Sequence, residues 1–491
     1  MALEREIKLG APREFQLPAF VGLGAGLVAA PTVEQSLETV YYDTPDLRLA
    51  RWGYSLRRRL GEGWTLKRPM AATDAVLTRD ELTFAGEGEQ PPEEALRLLR
   101  VYARRAAIMP MARLSTVRRR VRIQTAAGVT AAEVVDDQVT VLDNATRFRQ
   151  VEVELGPAAD ADLLARLVSR LDAAGAGPSD PTPKHLRALG PGADAPPEVV
   201  PGELPRRPSA GDVARLAIAG SIAALFRHDL GARLGDDPED VHQARVAIRR
   251  LRSDLRTFSS LLDVEWRDGL QGDLRWLATE LGAARDADVL LRRVQAQAEQ
   301  LPPEDSEAAQ RLIGLAREEA VQAQRQLQVA LDAERYLDLA ERLVLAATAP
   351  PLLPAATKRA TGVLPAMVAR PWRRLRRAVE ALPTEPTDAD LHRVRILAKR
   401  CRYAAEAVVP VVKRRAARFA RATGQLQTVL GEHQDSVRLQ AWLRTAGRPA
   451  DVTLVAGELL AMERAAANVL RTNWRKAWRT LDRKTARSWL P

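Results

Sequence analysis

The chain has 491 residues, too many for one hydrophobic core, so two or three folded units are expected. Hydrophobic residues make up 46% of it and aromatic residues 4%, a composition typical of a folded protein but poor in rings that could stack on nucleic-acid bases. The formal net charge is +11, and residues 1–190 carry 26 basic and 25 acidic side chains, so nearly all the excess lies after residue 190. A polyanionic partner is therefore expected for the C-terminal part.

Three features argue against a membrane or secreted protein. Residues 15–33 carry no charge, but two prolines and three glycines interrupt them, which predicts a strand, a turn and a helix rather than a membrane span. The chain starts with charged residues 4–6, unlike a secretory signal. The single cysteine, Cys401, excludes an intramolecular disulfide. We expect a cytoplasmic protein that does not bind membranes.

The first 156 residues alternate polar and apolar side chains with the period of a β-strand. The clearest runs are residues 3–9, 55–59, 64–67, 117–123 and 150–155. Glycines between neighbouring runs indicate hairpin turns. Helical patterns occupy residues 93–107 and 161–174. Together these patterns predict an antiparallel sheet or barrel with flanking helices.

A proline-rich stretch then separates this unit, residues 1–190, from a second one at 208–491. The linker, residues 191–207, cannot form a helix or a central strand. Beyond it, helical patterns dominate, with breaks at 302–303 and 350–354. Residues 241–252 match 391–402 at an offset of 150, and 281–286 resemble 430–435 at an offset of 149. An all-α unit of two repeats, about 208–350 and 356–491, is predicted.

Charged side chains occupy alternate positions on five predicted strands, and such positions share one face of a strand. The rows are Glu4, Glu6 and Lys8; Arg57 and Arg59; Thr65 and Lys67; Arg118, Arg120 and Arg122; Glu152 and Glu154. A solvated outer face would explain any one row. The five rows together favour a barrel with a wet, charged interior, where carboxylates suit Mg²⁺ or Mn²⁺ and basic groups suit phosphate oxygens.

This ordered set resembles the CYTH domain, the domain of the triphosphate tunnel metalloenzymes. Residues 4–8 are similar to the family's Glu-x-Glu-x-Lys signature. The further matches are Tyr42-Asp43-Thr44, the Leu56-to-Arg59 segment, Leu66-Lys67, Arg79-Asp80-Glu81, the arginines near Arg118, Glu133, Asp136-Asp137, Glu152-Val153-Glu154 and Lys184. One departure is Thr83, where family members often carry a second acid.

The resemblance implies an α+β protein whose eight-stranded antiparallel β tunnel, with flanking helices, hydrolyses inorganic triphosphate or polyphosphate with Mg²⁺ or Mn²⁺. The implied metal ligands are Glu4, Glu6, Glu133, Asp137 or its neighbour Asp136, Glu152 and Glu154. The implied phosphate-binding residues are Arg57, Arg59, Lys67, Arg118, Arg120 and Lys184, and catalysis would depend on Glu4, Glu6 and Lys8. A non-catalytic polyphosphate-binding protein is the alternative, and adenylate cyclase or thiamine triphosphatase activity is less favoured.

In the second unit, a histidine and three basic residues share one helix face in each repeat, within about 80° of arc. The two sets are His242, Arg245, Arg249 and Arg252, and His392, Arg395, Lys399 and Arg402. A solvated face would explain one set, but duplication favours polyanion binding. The pattern resembles the conserved-histidine helices of CHAD domains. This resemblance implies binding of inorganic polyphosphate, with polyphosphate granules as one expected location. The scarcity of aromatic residues for base stacking disfavours nucleic acid as a partner.

Overall fold

The computed structural model describes residues 5–24, 26–69, 79–86, 88–156, 158–160 and 162–491. For Arg5, Glu6, Arg79 and Asp80 it describes the backbone only. The chain divides into two units, Met1–Pro197 and Glu198–Pro491.

The N-terminal unit is built on one antiparallel sheet. Its strands are β1 (Arg5–Gly10), β2 (Leu27–Ala29), β3 (Val33–Asp43), β4 (Ser55–Arg59), β5 (Gly63–Pro69), β6 (Arg79–Phe84), β7 (Met109–Thr125), β8 (Thr130–Val141) and β9 (Arg147–Leu155). Eight of them follow the order β1-β9-β8-β7-β3-β4-β5-β6, and β2 pairs separately with β7. The predicted eight-stranded antiparallel architecture is confirmed, with the three-residue β2 as an addition.

The apolar positions of these strands pack beneath short helices. The helices of this unit are α1 (Arg48–Arg51), α2 (Glu93–Leu98), α3 (Arg100–Ala103), α4 (Leu163–Ala173) and α5 (Lys184–Leu189). The buried Leu163, Leu167 and Leu171 of α4 lie one turn apart and pack against Val151 and Val153 of β9. Each such leucine contributes about 1.5–3 kcal/mol by burial. The alternate residues of β9 are left for the other face of the sheet.

The C-terminal unit is helical among its described residues. Its elements are α6 (Ala210–Arg227), α7 (Asp229–Leu234), α8 (Pro238–Thr257), α9 (Val264–Ala298), the 3₁₀ turn Pro303–Asp305, α10 (Ser306–Asp332), α11 (Glu334–Thr348), the 3₁₀ turn Pro354–Thr357, α12 (Ala360–Glu380), α13 (Asp388–Ala407), α14 (Val409–Val412), α15 (Arg414–Ala446), α16 (Thr453–Leu481) and α17 (Lys484–Arg487). None of the helices in the described part of the chain is long and apolar enough to cross a membrane.

The helical unit has the internal duplication that the sequence indicates. Helices α8 and α13 both have 20 residues, and their bounds differ by 150 positions. Helices α6 and α12 begin at the same offset, and a β-bridge joins the residues before them, Ser209 and Arg359. Residues at this offset can therefore be compared as structural equivalents.

Candidate functional site

A charged cavity lies in the N-terminal unit. Fifteen described residues line it: Lys8, Tyr41, Ser55, Arg57, Arg59, Lys67, Glu81, Arg118, Glu133, Val135, Glu152, Glu154, Pro183, Lys184 and His185. Six of these side chains are lysine or arginine and four are glutamate. A cavity with a basic excess and several carboxylates suits an anion together with a cation better than it suits an apolar ligand.

Strand register brings these residues together. Lys8 of β1 pairs with Glu152 of β9. Arg118 of β7 pairs with Asp137 of β8, and Lys67 of β5 pairs with Glu81 of β6. Because side chains directly opposite each other on antiparallel strands are close, each pairing places a base beside an acid.

Lys184 reaches the cavity from outside the sheet. The amide of Gln150 donates to the carbonyl oxygens of Asp180 at 3.3 Å and Thr182 at 3.1 Å, which fixes the segment before α5. Lys184, the first residue of α5, then places Nζ 2.9 Å from Glu152 and 2.6 Å from Asp137. Burial alone would raise the pKa of Glu152, but the charges of Lys184 and Lys8 hold it well below its usual range.

Asp137 and its neighbour Asp136 point to opposite faces of β8. Arg118 donates to both Asp137 oxygens, at 2.8 and 2.7 Å, and Lys184 together with Arg118 lowers the pKa of Asp137 against the effect of burial. Asp136 instead accepts from the buried guanidinium of Arg149 at 2.7 and 2.6 Å. The structure therefore places Asp137 on the side of Arg118 and Lys184, where it is fully buried beneath the cavity lining, and gives Asp136 a structural ion pair.

The opposite wall of the cavity is basic. Burial, and then the charge of Arg57, lowers the pKa of Arg59. The buried Nε of Arg57 has no hydrogen-bond partner among the described residues. Lys67 contacts Glu81. Burial raises the pKa of Glu81, but the charge of Lys67 helps to bring it below its usual value. Crowded cations with an unsatisfied donor are the arrangement expected where a phosphate group binds.

A row of acidic positions crosses the first three strands of the sheet. The Cα atom of Glu6 pairs with that of Glu154, and Glu154 pairs with Glu133. Like charges opposite each other destabilise a sheet, whereas oxygen ligands arranged this way fit a hard divalent cation. The donor chemistry thus fits Mg²⁺ or Mn²⁺, although no three acidic, histidine or cysteine side chains of the described residues are grouped as a ready metal site.

Two of the residues predicted for this site are not described in full. Glu4 lies outside the described residues, and Glu6 is described by its backbone only. Arg120 contacts Glu133 at 3.8 Å and does not line the cavity itself, whereas Arg122 contacts Glu133 at 3.1 Å and is half-exposed.

Besides Val135 and Pro183, four polar or ionisable residues that line the cavity were not among the predicted site residues. They are Tyr41, Ser55, Glu81 and His185. Glu81 belongs to the matched Arg79-Asp80-Glu81 segment, so its register opposite Lys67 was the missing signal. Conversely, Asp43 of the matched Tyr42-Asp43-Thr44 segment is structural, since its buried carboxylate accepts from the backbone N–H groups of Thr44, Leu49 and Ala50.

In the C-terminal unit, basic residues from both repeats form one cluster. We call Arg245, Arg249, Arg395, Lys399 and Arg438 the basic cluster. Asp286 joins the repeats, since it contacts Arg245 at 3.1 Å and Arg438 at 2.6 Å. Burial, followed by the charges of Arg395, Arg249 and Arg245, lowers the pKa of Lys399 to about 6. The repulsion between these cations is relieved when an anion binds among them.

The two predicted histidines lie beside this cluster. Burial lowers the pKa of both His242 and His392, and nearby arginines lower them further. The Nδ1 atom of each ring is buried without a hydrogen-bond partner in the described structure. Arg245 and Arg395 also lie over equivalent glycines, Gly282 and Gly431, where an added Cβ atom would lie 3.8 Å and 3.6 Å from the respective Nε atoms.

The last residue of each predicted set lies in a different environment. Arg402 donates to Glu406 at 2.7 Å. Arg252 instead neighbours Arg275 and Arg400, whose charges contribute, after burial, to lowering its pKa. The structure therefore brings together the first three positions of each set and separates the fourth.

Known proteins support the two-unit interpretation. The description of the CYTH domain matches residues 2–172, and that of the CHAD domain matches residues 216–444. Two curated relatives, both described as uncharacterized proteins of Mycobacterium tuberculosis, are 31% identical over 98% of this chain and 96% of their own length. The chain belongs to the family of proteins that join a CYTH domain, the domain of the triphosphate tunnel enzymes, to a CHAD domain.

Three solved structures are similar to parts of the chain. PptA from Streptomyces chartreusis is 26% identical over 55% of this chain and 99% of its own, with a TM-score of 0.46. The CHAD domain from the plant Ricinus communis is 24% identical over 59% of this chain and 94% of its own, with a TM-score of 0.44. A putative adenylate cyclase from Bacillus halodurans is 19% identical over 38% and 98%, with a TM-score of 0.27.

Proposed function

We propose that the N-terminal cavity hydrolyses inorganic triphosphate or polyphosphate and that the basic cluster of the C-terminal unit binds polyphosphate. The observation that carries the first part is the cavity itself, in which six basic side chains face the same space as four glutamates. A chain of phosphates presents closely spaced negative charges, and fixed cations stabilise both the bound chain and the charge that develops during its cleavage.

The roles of the chain's own residues follow from their positions. Arg57, Arg59 and Lys67 bind phosphate oxygens along the basic wall, and the unsatisfied Nε of Arg57 donates to one of them. Lys8 and Lys184 hold Glu152 ionised. The Glu133 and Glu154 carboxylates, with Glu6 next in register, would hold Mg²⁺ or Mn²⁺, which neutralises phosphate charge and activates water when bound.

A binding protein without catalysis is the second candidate. The observation that favours it is that Glu152 and Asp137 already contact Lys184, so these two acids are compensated without a metal. In that case the cavity would hold a phosphate chain through its basic groups alone, and the acids would only position the lysines.

The test of hydrolysis measures phosphate release from tripolyphosphate, long-chain polyphosphate, ATP and thiamine triphosphate with Mg²⁺ or Mn²⁺. Arg57→Gln should lower the rate for the preferred substrate by about a hundredfold, because one fixed donor to the reacting group is lost. Arg119→Gln is the matched control, since Arg119 contacts Glu34 on the exposed side of the sheet. If the protein retains polyphosphate but releases no phosphate from any of these substrates with either metal, the second candidate is established.

The test of the C-terminal unit measures polyphosphate binding to the full chain. Arg245→Gln combined with Arg395→Gln should weaken it at least tenfold, because two charge-assisted contacts are removed. Arg393→Gln, on an exposed position of α13, is the control. Unchanged binding by the double variant, or equal competition by DNA and polyphosphate, would contradict the assignment.

A further inference from the structure

A second pocket of the C-terminal unit lies apart from the basic cluster. It is formed by the end of α8, the start of α9, the first half of α12 and the middle of α13, and its volume is about 770 Å³, within the range of small-molecule sites. Its basic lining residues are Arg256, Arg267, Arg370, Arg374 and Arg400, and its apolar wall includes Val363, Met367 and Leu397. The one acid in the lining, Asp268, contacts Arg267 at 2.8 Å.

The duplication shows what is unusual about this pocket. At one end of the pseudo-symmetric pair of helices, Glu406 of α13 lies between Arg250 of α8 and Arg402 of α13 and contacts both. The positions 150 residues away from Glu406 and Arg250 are Arg256 and Arg400. At the first end of the helix pair, Glu406 therefore lies between two arginines. At the second end, the position equivalent to Glu406 is occupied by a further arginine, Arg256.

At the second end the arginines are exposed to solvent, and no carboxylate of the described residues contacts them. Desolvation, followed by the charges of Arg400 and Arg252, lowers the pKa of Arg256 to about 10, which still leaves it charged at neutral pH. No ion pair is formed by Arg256, Arg370, Arg374 or Arg400 in the described part of the chain. An anion placed among these arginines would supply the negative charge that Glu406 supplies at the equivalent end.

The basic character of the pocket is also specific to one repeat. The residues of α6 equivalent to Arg370 and Arg374 of α12 are Gly220 and Ala224. Duplication alone would not have produced these two arginines, which lie one helical turn apart and line the same pocket as Arg256 and Arg400. Two further guanidinium groups thus converge on Arg256 and Arg400.

The apolar wall narrows the class of ligand. Val363 and Met367 lie one turn apart on α12, and Leu397 faces the same pocket from α13. No aromatic ring is among the lining residues described, so a stacked base has no platform. Inorganic polyphosphate has no apolar part that could use this wall.

We propose that this pocket binds an organic phosphate monoester with an aliphatic body. The phosphate dianion binds between Arg256 and Arg400, with Arg370 and Arg374 at its other oxygens. The aliphatic body packs on Val363, Met367 and Leu397. This ligand differs in chemistry from the inorganic chains proposed for the cavity and the basic cluster, and its binding does not depend on either.

Calorimetric titration of the full chain with octyl phosphate tests the proposal, with inorganic phosphate as the comparison. Arg256→Glu recreates in α8 the acid that Glu406 provides in α13, so the variant should fold and form an ion pair with Arg400. It should bind octyl phosphate at least tenfold more weakly than the wild type. Arg373→Glu, the same charge change on an α12 residue outside the lining, should bind like the wild type.

Further measurements identify the source of the ligand and the pocket in which it binds. Met367→Ser should lower the preference for octyl phosphate over inorganic phosphate, because apolar contact is lost. Sedimentation with phosphatidylcholine vesicles containing phosphatidic acid, lost in Arg256→Glu, would identify a lipid headgroup as the source; binding of octyl phosphate alone would identify a soluble ester. Equal binding of octyl phosphate by wild type and Arg256→Glu, or loss only in the Arg245→Gln, Arg395→Gln variant, would overturn the proposal.

Discussion

Lys399 couples the proposed polyphosphate binding to pH. Its pKa of about 6 means that most molecules carry a neutral amine there at pH 7.5, because burial and the charges of Arg395, Arg249 and Arg245 disfavour the ammonium. A bound polyanion reverses this balance and raises the pKa, so binding takes up a proton. Affinity for polyphosphate should therefore increase as the pH falls from 8 to 6.

The measurement is the dissociation constant at constant ionic strength across that range. Lys399→Arg keeps a permanent charge, so its affinity at pH 8 should exceed that of the wild type and its pH profile should be flatter. His242 and His392 also have lowered pKa values and add to the increase at the acidic end in both proteins. A wild-type profile as flat as that of Lys399→Arg would refute the coupling.

Lys184 stabilises the charged cavity as well as lining it. Lys184→Met leaves the carboxylates of Asp137 and Glu152 each with one fewer base, which should cost about 2 kcal/mol of local stability at pH 7. Both acids have folded pKa values below their unfolded ones, so this stabilisation is present above about pH 4.5 and is lost as the pH falls further. The deficit of the variant should therefore be smaller at pH 4.

Hydrogen exchange of the β8 and β9 amides in the intact chain measures this effect. Arg166→Met provides the comparison, because Arg166 contacts Asp160 at an exposed position of α4 and such pairs contribute little. A deficit that is the same at pH 4 and pH 7 would show that Lys184 acts through packing rather than charge.

At the scale of elements, strands with strict alternation could be predicted from sequence, because a half-buried strand exposes every second residue. The prediction for residues 55–59 coincides with β4, and residues 64–67 and 117–123 lie within β5 and β7. The helix predicted within residues 15–33 is wrong. The described residues 15–24 and 26–32 contain only the short strand β2, because Phe15, Phe20 and Leu23 enter the core from irregular backbone without any period.

The alternation of polar and apolar residues did not predict which residues lie opposite each other on neighbouring strands. Whether Asp136 or Asp137 faces the cavity depends on which residue of β8 lies opposite Arg118, and the pairing with Asp137 is set by the whole length of β7 and β8. Lys184 was matched through family resemblance, but its position beside Glu152 depends on the contacts of Gln150 with a distant loop. Local sequence patterns carry no signal for such contacts.

The close approach of α13 and α15 gives a prediction at the same scale. A Cβ atom on Gly431 of α15 would lie 3.6 Å from Nε and Nη2 of Arg395, an ordinary contact distance. Gly431→Ala should therefore leave polyphosphate affinity unchanged and stabilise the helix by up to about 1 kcal/mol. Gly431→Leu must displace the guanidinium and should weaken binding about tenfold.

Gly457→Leu on α16 is the control, since a Cβ there meets nothing within 4 Å. Binding curves for the four proteins, each with its helical circular dichroism, separate loss of affinity from loss of fold. If Gly431→Leu retains wild-type affinity, Arg395 does not contact the polyanion in the orientation described.

At the scale of the whole molecule, the proposed polyphosphate-binding unit and the proposed hydrolytic unit belong to one chain, so the second encounter with a long polyphosphate becomes intramolecular. Residues 198–491 holding one stretch of polyphosphate would raise its concentration near the cavity of residues 1–197, to an extent set by the linker.

The full chain should therefore have a KM for long-chain polyphosphate at least tenfold below that of residues 1–197 alone. For tripolyphosphate, whose three phosphates leave no further stretch of chain for a second site, the two values should agree. Arg245→Gln combined with Arg395→Gln in the full chain should abolish the difference while leaving kcat unchanged, and an equal mixture of the separated units should behave like residues 1–197 alone. If the mixture matches the full chain, the advantage does not come from the covalent connection.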